Sequence, residues 1–187
     1  MKINRCQWCN LDNPTYVKYH DEEWCVPTHD EKLLFEFLIL ESFQAGLSWE
    51  IILNKRQAFK LAFSEYDIDK ICSFDEEKIT QLMQNPDIVR NRRKIESAIN
   101  NAKIFRKIQC EYVTFDKYLW GFTNGKTIYE TGRTTSPLSD ALSRDLQRRG
   151  MKFVGSTIVY SYLQAVGVLY SHEKDCFMYR EKAPEEK

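Results

Sequence analysis

The stretch at residues 40–49, together with the helix that leads into it, constrains the fold more than any other part of the chain. Leu34, Phe37 and Leu38 stand at positions i, i+3 and i+4 of a helical repeat. Glu41 follows at i+7, so the predicted apolar stripe contains an acid. A buried carboxylate needs partners, since otherwise its pKa rises. We therefore expect an inward-facing acid, which is either functional or held by a structural arginine.

The residues after this helix predict a sharp turn. Gly46 suits the left-handed residue just past a helix end. Ser48 suits the N-cap of a second helix that begins at Trp49. Leu47 lies between them and is expected to be exposed on the turn, beside an aromatic wall.

Composition limits the class of protein. The chain has 187 residues, enough for one large domain or a domain with a lobe. Its 43% hydrophobic and 13% aromatic residues exclude disorder. No apolar run approaches a membrane span and no signal peptide opens the sequence, so we expect a cytoplasmic protein without membrane contact, whose six cysteines are thiols or metal ligands. The net charge is +0, so nucleic-acid binding would require local basic patches.

Helical patterns run along most of the chain after an irregular, aromatic stretch at residues 1–30. Periodicity and capping residues predict helices at about 31–44, 49–63, 67–71, 75–84, 89–108, 112–122, 137–150 and 155–170. No strand alternation competes with them. The predicted class is all-α, as one compact unit or as two helical lobes with a cleft.

The first 24 residues carry an unusual number of aromatic side chains, namely Trp8, Tyr16, Tyr19 and Trp24. A surface segment rarely holds so many, so they either line a pocket or form a hydrophobic flap over the core.

Cysteines and histidines near both ends of the chain suggest a metal site. His172 and Cys176 stand at i and i+4, on one face of a helical turn, and Cys6 and His20 lie near the other end. Two cysteines and two histidines make a closed tetrahedral zinc set of the structural kind. Cys9 forms a C-x-x-C pair with Cys6 and is a rival ligand to His20. The alternative is unconnected thiols and imidazoles.

A basic stretch within residues 82–95 indicates nucleic-acid contact. It reads as a helix, a short hairpin and a basic helix start, an arrangement that can hold a phosphate. The basic side chains there are Arg90, Arg92, Arg93 and Lys94. A second basic cluster spans 148–152, and the alternative for both clusters is a solvated helix face.

Taken together, these segments resemble the 3-methyladenine-DNA glycosylase I family of helix-hairpin-helix DNA glycosylases. The matching segments span nearly the whole chain in order: Arg5-Cys6 with Trp8, Tyr19 to Trp24, Leu40 to Trp49, Arg149 to Gly155, and His172 to Cys176. One departure is Cys25, which stands where family members commonly have glycine.

The resemblance implies a role for each group of residues. It implies one structural zinc ion per chain on Cys6, His20, His172 and Cys176, which favours His20 over Cys9. It implies catalytic Glu41 in a base pocket with Trp8, Tyr16, Tyr19, Trp49 and Ser161. It implies a DNA wedge at Gly46 and Leu47. It also implies a single glycosylase domain over 1–187, with the helix-hairpin-helix at about 75–108.

The implied activity is that of a monofunctional DNA glycosylase. Such an enzyme flips 3-methyladenine out of double-stranded DNA, hydrolyses its N-glycosidic bond, releases the free base and so initiates base excision repair; the family resembled is monomeric. No lysine stands in or beside the Glu41 stretch, so no Schiff-base lyase step is expected. No aspartate is identified that would activate water. A zinc hydrolase, a DNA-binding module without activity and a purely structural helical protein are the alternatives.

Overall fold

The computed structural model describes residues 3–182, which are mainly helical. The helices are α1 (Pro14–Glu22), α2 (Glu31–Gln44), α3 (Trp49–Asn54), α4 (Arg56–Ala62), α5 (Ile68–Cys72), α6 (Glu76–Gln84), α7 (Arg92–Tyr112), α8 (Phe115–Gly121), α9 (Pro137–Arg148) and α10 (Ser156–Ala165). Two short parallel strands, β1 (Ile128–Tyr129) and β2 (Leu169–Tyr170), pair with each other. The expectation of a mainly helical fold is confirmed, and the strand pair is an addition to it.

Side-chain caps define the helix starts that the sequence predicted. The Asp30 carboxylate accepts hydrogen bonds from the second and third backbone N–H groups of α2. Asp75 and Asp67 cap α6 and α5 by accepting one hydrogen bond each, from the third N–H group of the helix. An N-cap carboxylate satisfies N–H groups that have no partner inside the helix.

Helix α1 was not predicted, because residues 1–30 were expected to be irregular. The Asn13 side chain accepts hydrogen bonds from the N–H groups of Thr15 and Tyr16, and Pro14 occupies the first turn. Both features favour a helix start. Since the helix buries Tyr16, Tyr19 and His20, it carries aromatic and metal-ligand candidates into the interior.

Several predicted boundaries were wrong, including the end of α7, at 112 rather than 108, and the start of α8, at 115 rather than 112. The helix expected over 49–63 is interrupted at Lys55, whose ψ of 1° separates α3 from α4. Helix α7 begins at 92 rather than 89, because Asn91 caps it. Helix α10 ends well before 170, because Gly167 has a φ of +73° and touches the backbone of Pro27 so closely that a Cβ there would lie 2.2 Å from its nitrogen.

Helix α2 lies at the centre of the molecule. Every residue from Leu34 to Phe43 is buried, and the helix contacts α3, α7, α8 and α10. A helix that is buried on all sides places whatever polar group it carries deep in the protein. Although α2 is apolar it has only 14 residues, and within residues 3–182 no helix has the length and hydropathy required to cross a membrane.

Candidate functional site

The end of α2 forms the predicted turn. The N–H of Leu47 donates to the carbonyl of Gln44 at 2.6 Å. Ala45 has φ −46° and ψ 112°, and Gly46 has φ +79°, which are the angles of a type II turn. Ser48 then caps α3 by accepting from Ile51. The turn leaves Leu47 exposed, at 38% of its surface.

Glu41 is a buried acid without an ion-pair partner among the described residues. Its side chain is 3% exposed, and its Oε2 atom accepts no hydrogen bond. Burial raises the pKa of this carboxyl well above its ordinary value. Within residues 3–182 no arginine forms an ion pair with Glu41, so the alternative of a structural arginine is not observed, and Arg56 binds two other acids, Glu36 and Glu23.

A cavity of about 340 Å³ opens beside Glu41. Its walls include all the side chains that the sequence assigned to a base pocket: Trp8, Tyr16, Tyr19, Glu41, Trp49 and Ser161. The aromatic rings support one another, since the Tyr19 and Trp49 centroids are 5.3 Å apart and those of Trp8 and Tyr16 are 5.4 Å apart. The volume is typical of small-molecule pockets that are formed before the ligand binds.

The tyrosines of this cavity are hydrogen-bond donors at neutral pH. Burial raises the pKa of Tyr16 to about 12. Burial, followed by the charge of Glu41, raises the pKa of Tyr19 well above its ordinary value. Both hydroxyls therefore stay protonated and available to the polar edge of a ligand.

Several lining residues were not predicted, and some of them had a signal in the sequence. Gln44 lies three residues after Glu41 and Gln164 three residues after Ser161, so helical spacing places each on the same face as its neighbour. The others not predicted are Thr131, Gly132, Arg133, Ser171 and Glu173, whereas Trp24 was among the aromatic residues expected either to line a pocket or to cover the core. The loop at 131–133 had no local signal, because it reaches the cavity only through the pairing of β1 with β2.

The four predicted metal ligands meet in one buried cluster. The ligand atoms of Cys6, His20, His172 and Cys176 all lie within 4.8 Å of one another. The sulfur of Cys176 is 3.5 Å from His20 Nε2 and 3.6 Å from His172 Nδ1. The rival ligand Cys9 lies outside the cluster, with its sulfur 3.9 Å from the carbonyl oxygen of Tyr16.

Neighbouring residues hold one imidazole of this cluster in place and connect the cluster to the cavity. Asp21 Oδ1 lies 2.8 Å from Nδ1 of His20, and Arg5 binds the same carboxylate with two nitrogens. Such a carboxylate–histidine pair orients metal ligands in proteins. Trp24 packs edge-on against His172 at 4.7 Å and also lines the cavity. The cluster and the pocket therefore share a wall.

Cys25 occupies a strained backbone position behind that wall. Its φ is +65°, a conformation that favours glycine, and its side chain is 1% exposed. The sulfur accepts a hydrogen bond from the N–H of Ser171, and burial raises the pKa of the thiol. The cysteine therefore keeps the turn that a glycine would adopt and adds a contact to a residue that lines the cavity.

The basic residues predicted to contact DNA lie in different environments. Arg90 and Arg93 are exposed around the connection between α6 and α7. Arg92 is ion-paired with Glu76 and Glu96. Lys94 differs from the expectation of an exposed charge: it is 6% exposed and points into the protein, because its helical phase places it on the buried face of α7. In the second basic cluster, Arg149 pairs with Asp145 and Glu111.

These features define a helical protein with a preformed aromatic pocket around an unpaired acid, and comparisons identify the family. Residues 8–179 match the methyladenine glycosylase family. The chain is 40% identical to DNA-3-methyladenine glycosylase 1 of Escherichia coli (strain K12), over 97% of this chain and 100% of that protein. The chain therefore belongs to the methyladenine glycosylase family.

Solved structures of related proteins have the same fold. A crystal structure of a 3-methyladenine DNA glycosylase I matches with a TM-score of 0.90 at 38% identity, covering 95% of this chain and 100% of that one. A structure of the Staphylococcus aureus 3-methyladenine DNA glycosylase I, described as showing the basis of 3-methyladenine recognition, matches with a TM-score of 0.89 at 38% identity, over 94% and 96% of the two chains.

Proposed function

We propose that the chain is a monofunctional DNA glycosylase that removes 3-methyladenine from double-stranded DNA and so initiates base excision repair. The observation that carries this proposal is the buried Glu41 carboxyl, which faces an aromatic cavity and has an oxygen without a hydrogen-bond partner. Methylation at N3 makes the base in DNA cationic. A cationic ring with N–H donors supplies the charge and the hydrogen bonds that this carboxylate lacks.

The aromatic walls favour the same ligand. Electron-rich faces of Trp49, Trp8 and Tyr19 attract a flat cationic ring, at roughly 0.5–2 kcal/mol for each contact. Uncharged adenine is attracted less strongly to these aromatic faces and to the Glu41 carboxylate. The pocket therefore selects the methylated base by its charge, and the protonated tyrosines and Ser161 add hydrogen bonds to its edge.

The reaction is hydrolysis of the bond between C1′ of the deoxyribose and N9 of the base. Water supplies the new C1′–O bond, the electron pair of the C1′–N9 bond leaves with the base, and one proton of the water is released. The cationic base is a good leaving group, so little acid catalysis is required. Among residues 3–182 no lysine lines the cavity, and a Schiff-base nucleophile for strand cleavage is therefore missing.

Access to the base requires that it be flipped out of the duplex, which costs about a few kcal/mol. The exposed Leu47 on its rigid turn is placed to fill the gap left in the stack. Helices α6 and α7 with their connection at 85–91 would serve as the helix-hairpin-helix, with Arg90 and Arg93 facing the phosphates.

The clustered thiols and imidazoles fit one structural zinc ion. Zn–S bonds of about 2.3 Å and Zn–N bonds of about 2.0–2.1 Å in a tetrahedron separate sulfur from nitrogen by about 3.6 Å. The observed distance from Cys6 Sγ to His172 Nδ1 is 3.6 Å. Four protein ligands leave no open position, so the ion would stabilise the fold and would not activate water.

Release of free base from alkylated DNA tests the proposal. Purified protein is incubated with DNA methylated at several positions, and the released bases are separated by chromatography. We expect 3-methyladenine in the soluble fraction and 7-methylguanine left in the DNA. Release of both bases would contradict the selective pocket, and no release by folded protein would overturn the glycosylase activity.

A further inference from the structure

Lys94 holds the end of the helix that carries Glu41. Its Nζ atom donates to the carbonyl oxygens of Phe43 at 2.7 Å and of Ala45 at 2.6 Å. Burial lowers the pKa of this ammonium, and within residues 3–182 no carboxylate forms an ion pair with it. The remaining neighbour is the ring of Phe153, whose centroid lies 5.8 Å away. A buried ammonium is therefore held by two carbonyls and an aromatic face.

These two carbonyls lie on either side of the point where α2 ends. Phe43 is in the last turn of α2, two residues after Glu41. Ala45 is the first central residue of the type II turn that presents Leu47. A positive charge at a helix C-terminus also interacts favourably with the helix dipole. One side chain thus joins the pocket acid's helix to the exposed turn.

Lys94 itself stands in the first turn of α7, three residues after the 85–91 connection. Asn91 caps this turn by accepting from the Lys94 N–H at 3.2 Å. The connection is also tied back to the segment that follows the turn, since Lys55 donates to the carbonyls of Pro86 and Asp87. A displacement of the connection would therefore be transmitted to the Leu47 turn through the ammonium.

We propose that Lys94 is a positioning residue that sets the Leu47 turn relative to the DNA-contacting connection and the Glu41 pocket. This inference rests on the proposed glycosylase activity. Lys94 touches neither the cavity nor, on this proposal, the DNA backbone; it acts through Leu47. Its loss should therefore impair work on duplex DNA, where a wedge is needed, and should spare the binding of free base.

A double-mutant cycle separates this role from simple stabilisation. The variants are Lys94→Met, which removes the ammonium and keeps an unbranched apolar chain, Leu47→Ala, and the pair combined. Lys103→Met, at an exposed position of the same helix, is the matched control. Single-turnover release of 3-methyladenine from duplex DNA, binding of free 3-methyladenine by tryptophan fluorescence, and the midpoint of thermal unfolding are measured for each.

We expect Lys94→Met, which removes both hydrogen bonds of the ammonium, to slow release from duplex DNA by at least about tenfold. The affinity for free base should stay within about twofold of wild type. In the Leu47→Ala background, Lys94→Met should cause little further slowing of release from duplex DNA. The control should match wild type. If Lys94→Met reduces the folded fraction, Lys94→Gln, which keeps a shorter donor, takes its place in the cycle.

Three results would overturn the inference: an additive loss in the Leu47→Ala background, an equal loss in free-base binding, or a lower unfolding temperature with unchanged release from duplex DNA. The wild-type protein separates this inference from the proposed function. If the wild-type protein binds free base but releases none from alkylated DNA, the proposed glycosylase activity is wrong. The proposed role of Lys94, which depends on that activity, is then wrong as well.

Discussion

Replacing Glu41 by glutamine should make the protein more stable and less active. Glutamine has nearly the same size, so the perturbation is loss of an ionisable carboxyl in a site that is 3% exposed. A hydrogen bond to a charged group contributes about 1.5–3 kcal/mol. Its loss from the complex with a cationic base corresponds to a fall in kcat/KM of about 10- to 150-fold.

The stability effect has a definite pH dependence. Burial holds the pKa of Glu41 in the folded protein well above its ordinary value of 4.5. The folded state therefore binds the proton more tightly, and wild-type stability declines as pH rises from the unfolded pKa through the folded one. Glutamine does not titrate, so the stability gain of Glu41→Gln should grow as the pH rises above the ordinary carboxyl pKa of 4.5.

Two measurements and one control test the predicted stability and activity of Glu41→Gln. Urea unfolding of both proteins, at a pH below 4.5 and again at neutral pH, gives the difference in unfolding free energy, and single-turnover release of 3-methyladenine gives the rate. Glu36 is the control, because it is a buried acid on the same helix that binds Arg56 at 2.5 Å; Glu36→Gln should lower stability. A Glu41→Gln protein with wild-type release and a pH-independent stability difference would refute the reasoning.

Three further predictions concern the turn, the metal cluster and the basic surface. Leu47→Ala should slow release from duplex DNA by about tenfold and leave free-base affinity unchanged, which kinetics and fluorescence titration can compare. Cys176→Ser should lower the zinc content by native mass spectrometry and the unfolding temperature by calorimetry; lost activity at unchanged stability would contradict a structural ion. Arg93→Ala should reduce the slope of log K against log salt by about 1, and the ion-paired Arg92 should matter less on substitution to alanine.

Local signals were enough to predict the centre of the molecule. Helix α2 has the expected bounds because Asp30 caps its start and the turn at Gly46 stops it. Capping and left-handed turns depend on a few adjacent residues, which the sequence displays directly. The inward direction of Glu41 follows from the same helical repeat.

Other elements depended on contacts that distant residues make. Helix α10 ends early because Gly167 meets Pro27, more than a hundred residues earlier in the chain. The wall of the cavity at Thr131 depends on the pairing of β1 with β2. No periodicity within one segment reports such contacts. The sequence therefore predicted the aromatic wall of the pocket and missed the wall formed by the loop at 131–133.

Lys94 shows a signal that was present and not used. It stands four residues before Ala98 and seven before Asn101, both buried on the inner face of α7. The helical phase therefore places its side chain inward. Grouping Lys94 with the neighbouring arginines as one basic run predicted an exposed charge, whereas its ammonium is buried and donates to two carbonyls at the end of α2.

The ligand cluster has a consequence for how the protein is made. His20 and Cys176 meet although 156 residues separate them, and the shared tryptophan wall joins their cluster to the cavity. A nascent chain on the ribosome therefore has Trp8 and Tyr19 long before the C-terminal histidine and cysteine of the cluster. Ser171 and Glu173 also line the cavity, so its wall is complete only when nearly the whole chain has been synthesised.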